Sequence, residues 1–295
     1  MGYVFLTLAI FVGITKGYCG KKTSGYLSGV RDSLLASTLR MLLCILVGLG
    51  AVCLNGAIPQ LRPTGKLLLI SAVSGVSTAV FVVSWLLSIK KSAYMLVAVF
   101  QMLGLLIPIT GGMLFFREAV PPVKWLGVGV LFGAVLLMCA YDRARSGKLT
   151  LPALLLLVLC GFTGGLSDFS QKLFVYQLPE ISATVFNFYT YVFAAISMTA
   201  AYFLLGRKDS SPVPENLPRI FGYILIMAIC LFANSYFKTL AAARLDAILM
   251  YPLSQGADMI LSSAMASILF REKLTPKGIA GISLAFVGLL IINLL

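Results

Sequence analysis

The sequence contains no histidine. A Ser-His-Asp or Cys-His catalytic group is therefore excluded, and so is a haem, zinc or copper site held by imidazole. Charge is scarce as well: Asp, Glu, Lys and Arg make up 11% of the 295 residues, against about 25% in a soluble domain. Acidic residues number 10 against 23 basic ones, a net charge of +13. The basic residues do not gather on one polar segment but fall in the gaps between apolar runs. That is the distribution of topology signals, and it argues against nucleic acid as a partner. The six cysteines (Cys19, Cys44, Cys53, Cys139, Cys160 and Cys230) form no CxxC pair, and all but Cys19 lie inside apolar runs. They read as small packing residues, with no metal or cofactor implied. No nucleotide-binding motif is present, so ATP is not expected to drive the protein directly. Met1 runs straight into an apolar stretch with no basic n-region, so no separate signal peptide is expected.

What fills the chain is hydrophobic. Apolar residues make up 60%, above the roughly 45–50% of soluble domains, and the mean hydropathy is +0.99. Too little polar surface is left to coat a soluble fold of this size, which excludes a cytosolic enzyme, a secreted domain and a disordered chain. A bilayer-spanning helix needs about 20 apolar residues. Ten such runs can be marked, at 2–22, 33–54, 67–89, 93–115, 122–141, 152–172, 181–205, 219–242, 247–270 and 276–294. They are too long and unbroken for the alternating strands of a barrel, whereas a helix satisfies its own backbone in lipid. The expected fold is an all-α integral membrane protein with ten transmembrane helices. Polar breaks fall at 206–218, rich in Pro and charge, and near mid-chain at 142–148.

The two halves resemble each other. Shifting the first by 154 residues brings ten identities into register between 86–137 and 240–291, among them Gln101/Gln255, Phe116/Phe270, Arg117/Arg271, Glu118/Glu272, Pro122/Pro276 and Gly127/Gly281. Shared composition readily matches leucines but not Phe-Arg-Glu with Pro and Gly at fixed offsets. The start of each half aligns more weakly at a shift of 150, where Lys22 falls on Lys172. The expected division is 1–148 and 149–295, five helices each. An odd number of spans makes the second unit enter the membrane in the opposite sense. Such inverted repeats are common in secondary transporters, which place the substrate at the repeat interface near mid-membrane.

LFFREAVPPVKWLGVGVLFGAVLLM and SILFREKLTPKGIAGISLAFVGLLII resemble the EamA-like branch of the drug/metabolite transporter superfamily. In that family a small apolar helix ends in Phe/Leu-x-Glu, followed by a Pro or polar turn and a Gly-rich helix. Pro252 also stands where the family often has a proline early in the ninth helix. The resemblance covers essentially the whole chain. It implies two five-helix repeats, alternating-access transport of a small polar metabolite or drug-like solute, and both termini in the cytoplasm. Two features depart from the pattern. Ala98 stands opposite Pro252, with Pro108 as that helix's proline, and the first span ends in the basic stretch KGYCGKKTSG.

Ionisable groups inside spans point to function, because each costs at least about 2.5–3.5 kcal/mol at mid-bilayer. Arg40, Asp168, Lys172, Lys238 and Asp258 qualify, with Lys22 at the edge. Asp168 and Lys172 lie one turn apart and read either as an ion or substrate site or as a self-neutralised pair. Lys238 shares a helix face with Asn234 and is the leading substrate contact; the alternative is a lysine snorkelling to the interface. Asp258, beyond Tyr251, Pro252 and Gln255, is the proton or cation relay, since a proline frees a backbone carbonyl to line a cavity. Arg40 suits a carboxylate or phosphate. Gln101 and Gln255, at matching repeat positions, are placed to face each other across a pseudo-two-fold axis. Trp85, Tyr94, Asn187, Tyr189 and Tyr191 are further cavity residues or interfacial aromatics. Gly161, Gly164 and Gly165 read as close-packing positions. The Arg-Glu pairs Arg117-Glu118 and Arg271-Glu272 read as helix-end anchors with a salt bridge, or as gate latches.

The embedded cations outnumber the carboxylates, so the cargo leans to an anionic or zwitterionic solute. The expected function is a secondary transporter in a cell membrane, as monomer or homodimer, coupled to H+ or to exchange of a counter-substrate. A membrane enzyme acting on lipid-linked substrates and a passive channel are the alternatives. Orientation is contested: loops after odd spans carry 15 basic residues, Lys16 among them, against five after even spans. By the positive-inside rule this puts both termini outside, opposite to what the resemblance implies.

Overall fold

In the computed structural model, residues 1–27, 29–91, 94–118, 121–146, 150–205, 217–271 and 276–294 are described. Among them the secondary structure is helical, with no strand. The helices are α1 (Gly2–Ser24), α2 (Val30–Leu54), α3 (Gly65–Lys91), α4 (Tyr94–Gln101), α5 (Leu106–Phe116), α6 (Pro122–Ser146), α7 (Leu151–Gln177), α8 (Ala183–Leu205), α9 (Leu217–Ala242), α10 (Ala247–Leu269) and α11 (Pro276–Leu294). A 3-10 turn, Met102–Leu105, joins α4 to α5, and the three together occupy the fourth span. The ten expected helical segments are all present.

Boundaries moved where helix extends through polar residues. α7 runs on to Gln177 and α1 to Ser24, so Lys172 and Lys16 sit deeper in their helices than an apolar run suggests. The expected mid-chain break is helical as far as Ser146; its end, 147–149, lies outside the described residues, as does most of the 206–218 linker. The break in the fourth span has a local cause. Pro108 has no N–H to donate to Gly104 and its ring crowds that carbonyl, so the preceding turn tightens. Pro252 stands in the second turn of α10, where little helix precedes it, and α10 stays continuous.

Six helical segments are long and apolar enough to cross a membrane by themselves: Gly2–Ser24, Val30–Leu54, Gly65–Ile89, Leu96–Phe116, Leu151–Gln177 and Pro218–Ala242. Two more have shorter apolar cores, Pro122–Ala134 and Gly278–Ile292. α8 and α10 carry buried polar residues, Thr184, Asn187 and Thr190 in one and Ser254 and Ser263 in the other. Burial is turned inside out relative to a soluble protein. Leu46, Leu69, Leu126, Leu136 and Ile268 are exposed, while Ser71, Ser74, Ser77, Thr78 and Ser84 of α3 point inward. An apolar exterior of this extent needs lipid to cover it.

The contacts between halves repeat across a pseudo-two-fold axis. α1 packs on α9 as α7 packs on α3; α1 meets α10 as α7 meets α4; α3 meets α8 as α9 meets α2. α2 with α8, α4–α5 with α10, and α6 with α11 are each their own mates. These last pairs run antiparallel. Gly127 lies against Gly288 and Ile292 while Gly133 lies against Leu284, and Gly112 near the end of α5 meets Ala247 at the start of α10. Antiparallel packing of equivalent helices is what a two-fold axis in the membrane plane requires, so the architecture is two inverted five-helix repeats.

Candidate functional site

The helices of the two halves enclose a polar cavity of about 80 Å³. An adjoining one of about 40 Å³ shares Lys16, Phe81, Gln101 and Asp258 with it. Together they have room for several water molecules. The walls come from both halves: Lys16 of α1, Thr78 and Phe81 of α3 and Gln101 of α4 on one side, with α7, α8, α9 and α10 supplying the rest. Two close approaches shape the space. Gly104 backs directly onto Gly161 and Gly165 of α7, backbone to backbone, so a Cβ on any of the three would strike a carbonyl oxygen of its partner helix. Gly161 and Gly165 are thus packing glycines. Gly164 instead turns toward Phe81 and lines the cavity.

Asp168 is the hub. Lys238 Nζ donates to its Oδ1 at 2.7 Å and Gln255 Nε2 to its Oδ2 at 3.3 Å. Its backbone oxygen accepts from the Tyr251 hydroxyl at 2.6 Å. One residue thereby ties α7 to α9 and α10. The Asp168 and Lys238 side chains are each 9% exposed, and the Lys238 ammonium also stands 5.9 Å from the centre of the buried Tyr251 ring. Burial of this kind is tolerated only as a hydrogen-bonded pair. Beside it runs a neutral network. Gln171 donates to Ser235 at 3.2 Å, Ser235 to Asn187, and Asn187 to Thr239 at 3.4 Å. Asn234 donates to the Ala9 carbonyl at 2.7 Å, pinning α9 to α1.

Asp258 and Lys16 behave differently. Both face the cavities, and among the described residues neither carboxylate nor ammonium has a hydrogen-bond or ion-pair partner. A Cβ on Gly13 would lie 3.2 Å from Asn234 Nδ2 and 3.4 Å from Asp258 Oδ1, so the bare backbone of α1 lets those polar groups face the space. The chemistry is asymmetric although the scaffold is not. Asp168, Lys238 and Asp258 stand where the first half has Tyr18, Ser84 and Gly104.

Of the residues expected from sequence, Lys238, Asn234, Gln101, Gln255, Asp168 and Asp258 line this cavity, and Tyr251 braces it from behind. The two glutamines share the same space. Trp85 and Tyr191 are wall residues, Asn187 belongs to the network, and Tyr189 bonds the Leu61 carbonyl outside it. The side chain of Tyr94 lies outside the described residues. Arg40 is buried but is not part of the wall. Lys172 is elsewhere and is not Asp168's partner. It donates to the carbonyls of Ala242 and Leu245 at 3.2 and 2.7 Å, closing the end of α9, and pairs with Glu118 at 3.7 Å.

Glu118 explains the Phe-Arg-Glu motif. Arg117 and Arg271 both have left-handed backbones, with φ of 54° and 52°. The left-handed residue ends the helix, with Glu118 N–H bonded back to the Gly112 carbonyl at 3.1 Å. Glu118 is thereby turned to accept from Ala247 N–H at 3.3 Å, at the start of α10. The motif is a helix-end clasp in the first repeat; Glu272 lies outside the described residues. Lys16 was missed, because it was counted with the loop charges. The first apolar run already extends past it to residue 22, and that was the available signal. Lys16 therefore leaves the topology count and joins the embedded cations.

Residues 151–294 match the model of the EamA-like transporter family. No curated protein matches the chain in sequence. One solved structure, a protein crystal structure, aligns over 97% of this chain and 96% of that one, with a TM-score of 0.67 and 15% identity. That is a likeness of fold alone. With ten helical segments in two inverted halves, the chain carries an EamA-like transporter family unit over its second half, 151–294, consistent with the drug/metabolite transporter superfamily.

Proposed function

We propose that this protein is a secondary active transporter that moves a small polar solute across the plasma membrane by alternating access through the cavity between its halves. The observation that carries the reading is the pairing of an open cation, Lys16, with an open carboxylate, Asp258, on the wall of a cavity built from both repeats. Charges at such depth are held for solutes and ions, not for stability. Lys16, Gln101, Asn234 and Gln255 contact an anionic or zwitterionic solute in this reading. Asp168 and Lys238 form the framework beside it, and Asp258 carries the coupling proton or gives way to a counter-substrate. At about 80 Å³ the cavity is too small for more than a few waters, so loading requires the halves to part, as rocking of one repeat on the other does. The units proposed to rock are 1–148 and 149–295, in a protein acting as monomer or homodimer.

The test starts with a solute screen by thermal stabilisation in detergent, since a ligand of the folded state raises its unfolding midpoint by mass action. A hit is then followed in proteoliposomes with and without a pH gradient. Gradient-dependent uptake, lost in Lys16→Met, is expected. Uptake indifferent to both the gradient and a counter-substrate would contradict carrier coupling.

A further inference from the structure

Among the described residues, the ionisable groups at and beside the cavity do not balance. Lys16, Arg40 and Lys238 are cations, against the carboxylates Asp168 and Asp258, and Asp168 is already held by Lys238. Arg40, in α2, is 2% exposed. Among the described residues its Nε and Nη2 are buried with no hydrogen-bond partner, and the hydroxyl of Ser37, one turn earlier on the same face, is also buried and unpartnered. A guanidinium cannot shed its proton to escape this cost, as a lysine can. It therefore calls for a negative charge. The neighbours that act on it electrostatically do not supply one. They are Cys44, whose thiol donates to the Ala228 carbonyl, and Tyr191, whose hydroxyl donates to the Leu231 carbonyl. Tyr191 also forms part of the cavity wall, and Arg40 acts electrostatically on Lys16 on another part of that wall. The unpartnered guanidinium thus lies within electrostatic reach of two wall residues, Tyr191 and Lys16.

We propose that Arg40 is an anion-binding group: a compact monovalent anion, either a free inorganic ion or the carboxylate of a molecule in the cavity, seats against its guanidinium beside Tyr191. The planar fork favours nitrate or formate over a halide, because two parallel N–H groups meet two oxygens. Nε and Nη2 are sealed in this conformation, so admission requires the packing around Arg40 to loosen. The site does not depend on the protein being a carrier, since binding needs no gradient.

The experiment is thermal unfolding of the purified protein in detergent at constant ionic strength. Chloride, nitrate or formate replaces gluconate, an anion too bulky for a sealed pocket. Wild type is expected to gain a few degrees, saturably, with nitrate and formate ahead of chloride. Arg40→Met is expected to lose the saturable response, and Arg40→Lys to keep a response without the planar preference. A wild type no more stable in nitrate than in gluconate, or an Arg40→Met variant that responds equally, would overturn the proposal. If Arg40→Met does not fold, wild-type crystals grown in bromide decide: an anomalous peak within hydrogen-bond reach of the guanidinium supports the site, and its absence overturns it. A carboxylate solute from the screen that abolishes the chloride response identifies the cargo as the occupant. A response additive with that solute identifies a free ion.

Discussion

Removing Asp168 tests the core of the site, because the cost follows from the geometry. The pair it forms with Lys238 is short, at 2.7 Å, and both side chains are 9% exposed. Asp168→Leu leaves the ammonium without its hydrogen-bonded partner, with the Tyr251 ring 5.9 Å away and Asp258 as the remaining carboxylate that acts on it. Lys238→Met strands the carboxylate, with the Gln255 amide as its donor at 3.3 Å. Breaking one side of a buried pair costs about 3–5 kcal/mol, whereas replacing both by apolar groups of similar volume is often nearly neutral. The bond from Tyr251 to the Asp168 backbone carbonyl survives all three changes, which keeps α10 docked on α7. The double variant Asp168→Leu/Lys238→Met is therefore expected to be more stable than either single variant, with a coupling energy of at least about 2 kcal/mol. Denaturant unfolding in mixed micelles, read by tryptophan fluorescence, measures the cycle. Single variants within about 0.5 kcal/mol of wild type would refute the reasoning. So would singles that simply add in the double variant.

Gly165→Ala is expected to destabilise by about 3 kcal/mol, the upper part of the overpacking range, because its Cβ would meet Gly104 backbone atoms that cannot yield. Gly222→Ala in α9, with nothing within 4 Å of the new Cβ, is expected to be neutral or to gain up to about 1 kcal/mol from helix propensity; the same unfolding assay reads both. Arg117→Gly should be tolerated, because its φ of 54° suits glycine. Arg117→Val should lose about 1–2 kcal/mol, since a β-branched residue resists the left-handed region. Asp258→Asn is expected to abolish accumulation driven by a pH gradient while leaving downhill counter-exchange of the same solute in proteoliposomes. Unchanged proton-driven accumulation would remove Asp258 from the coupling role.

The sequence carried the helices well because length and apolarity decide them. Each of the ten runs is near the spanning length, six of the resulting helical segments are long and apolar enough to cross by themselves, and the match of Phe116 with Phe270 set the two halves in register. It was less informative where a helix continues through charge. α7 extends five residues past Lys172, where the apolar run stops and the backbone does not; Lys16 lay within the first run but was counted with the loop charges. Asp168, Lys238, Gln255 and Asp258 were recognisable because their burial in lipid is costly enough to require a reason. Their partners were not recognisable. A one-turn spacing suggested Asp168 with Lys172, but the contact that forms is 70 residues distant in sequence, and only the packing of α7 on α9 creates it. The role of Phe-Arg-Glu was equally hidden, because a left-handed arginine has no signature in composition.

The central claim is that the cavity between the halves opens to each side of the membrane in turn. Ser167 lines that cavity and bonds Thr78 at 3.0 Å, so Ser167→Cys in a chain stripped of its native cysteines reports on access. A membrane-impermeant maleimide should label it in sealed vesicles from either face, with no leak of the reagent through the protein. Labelling from one face alone, or labelling accompanied by permeation, would contradict alternating access.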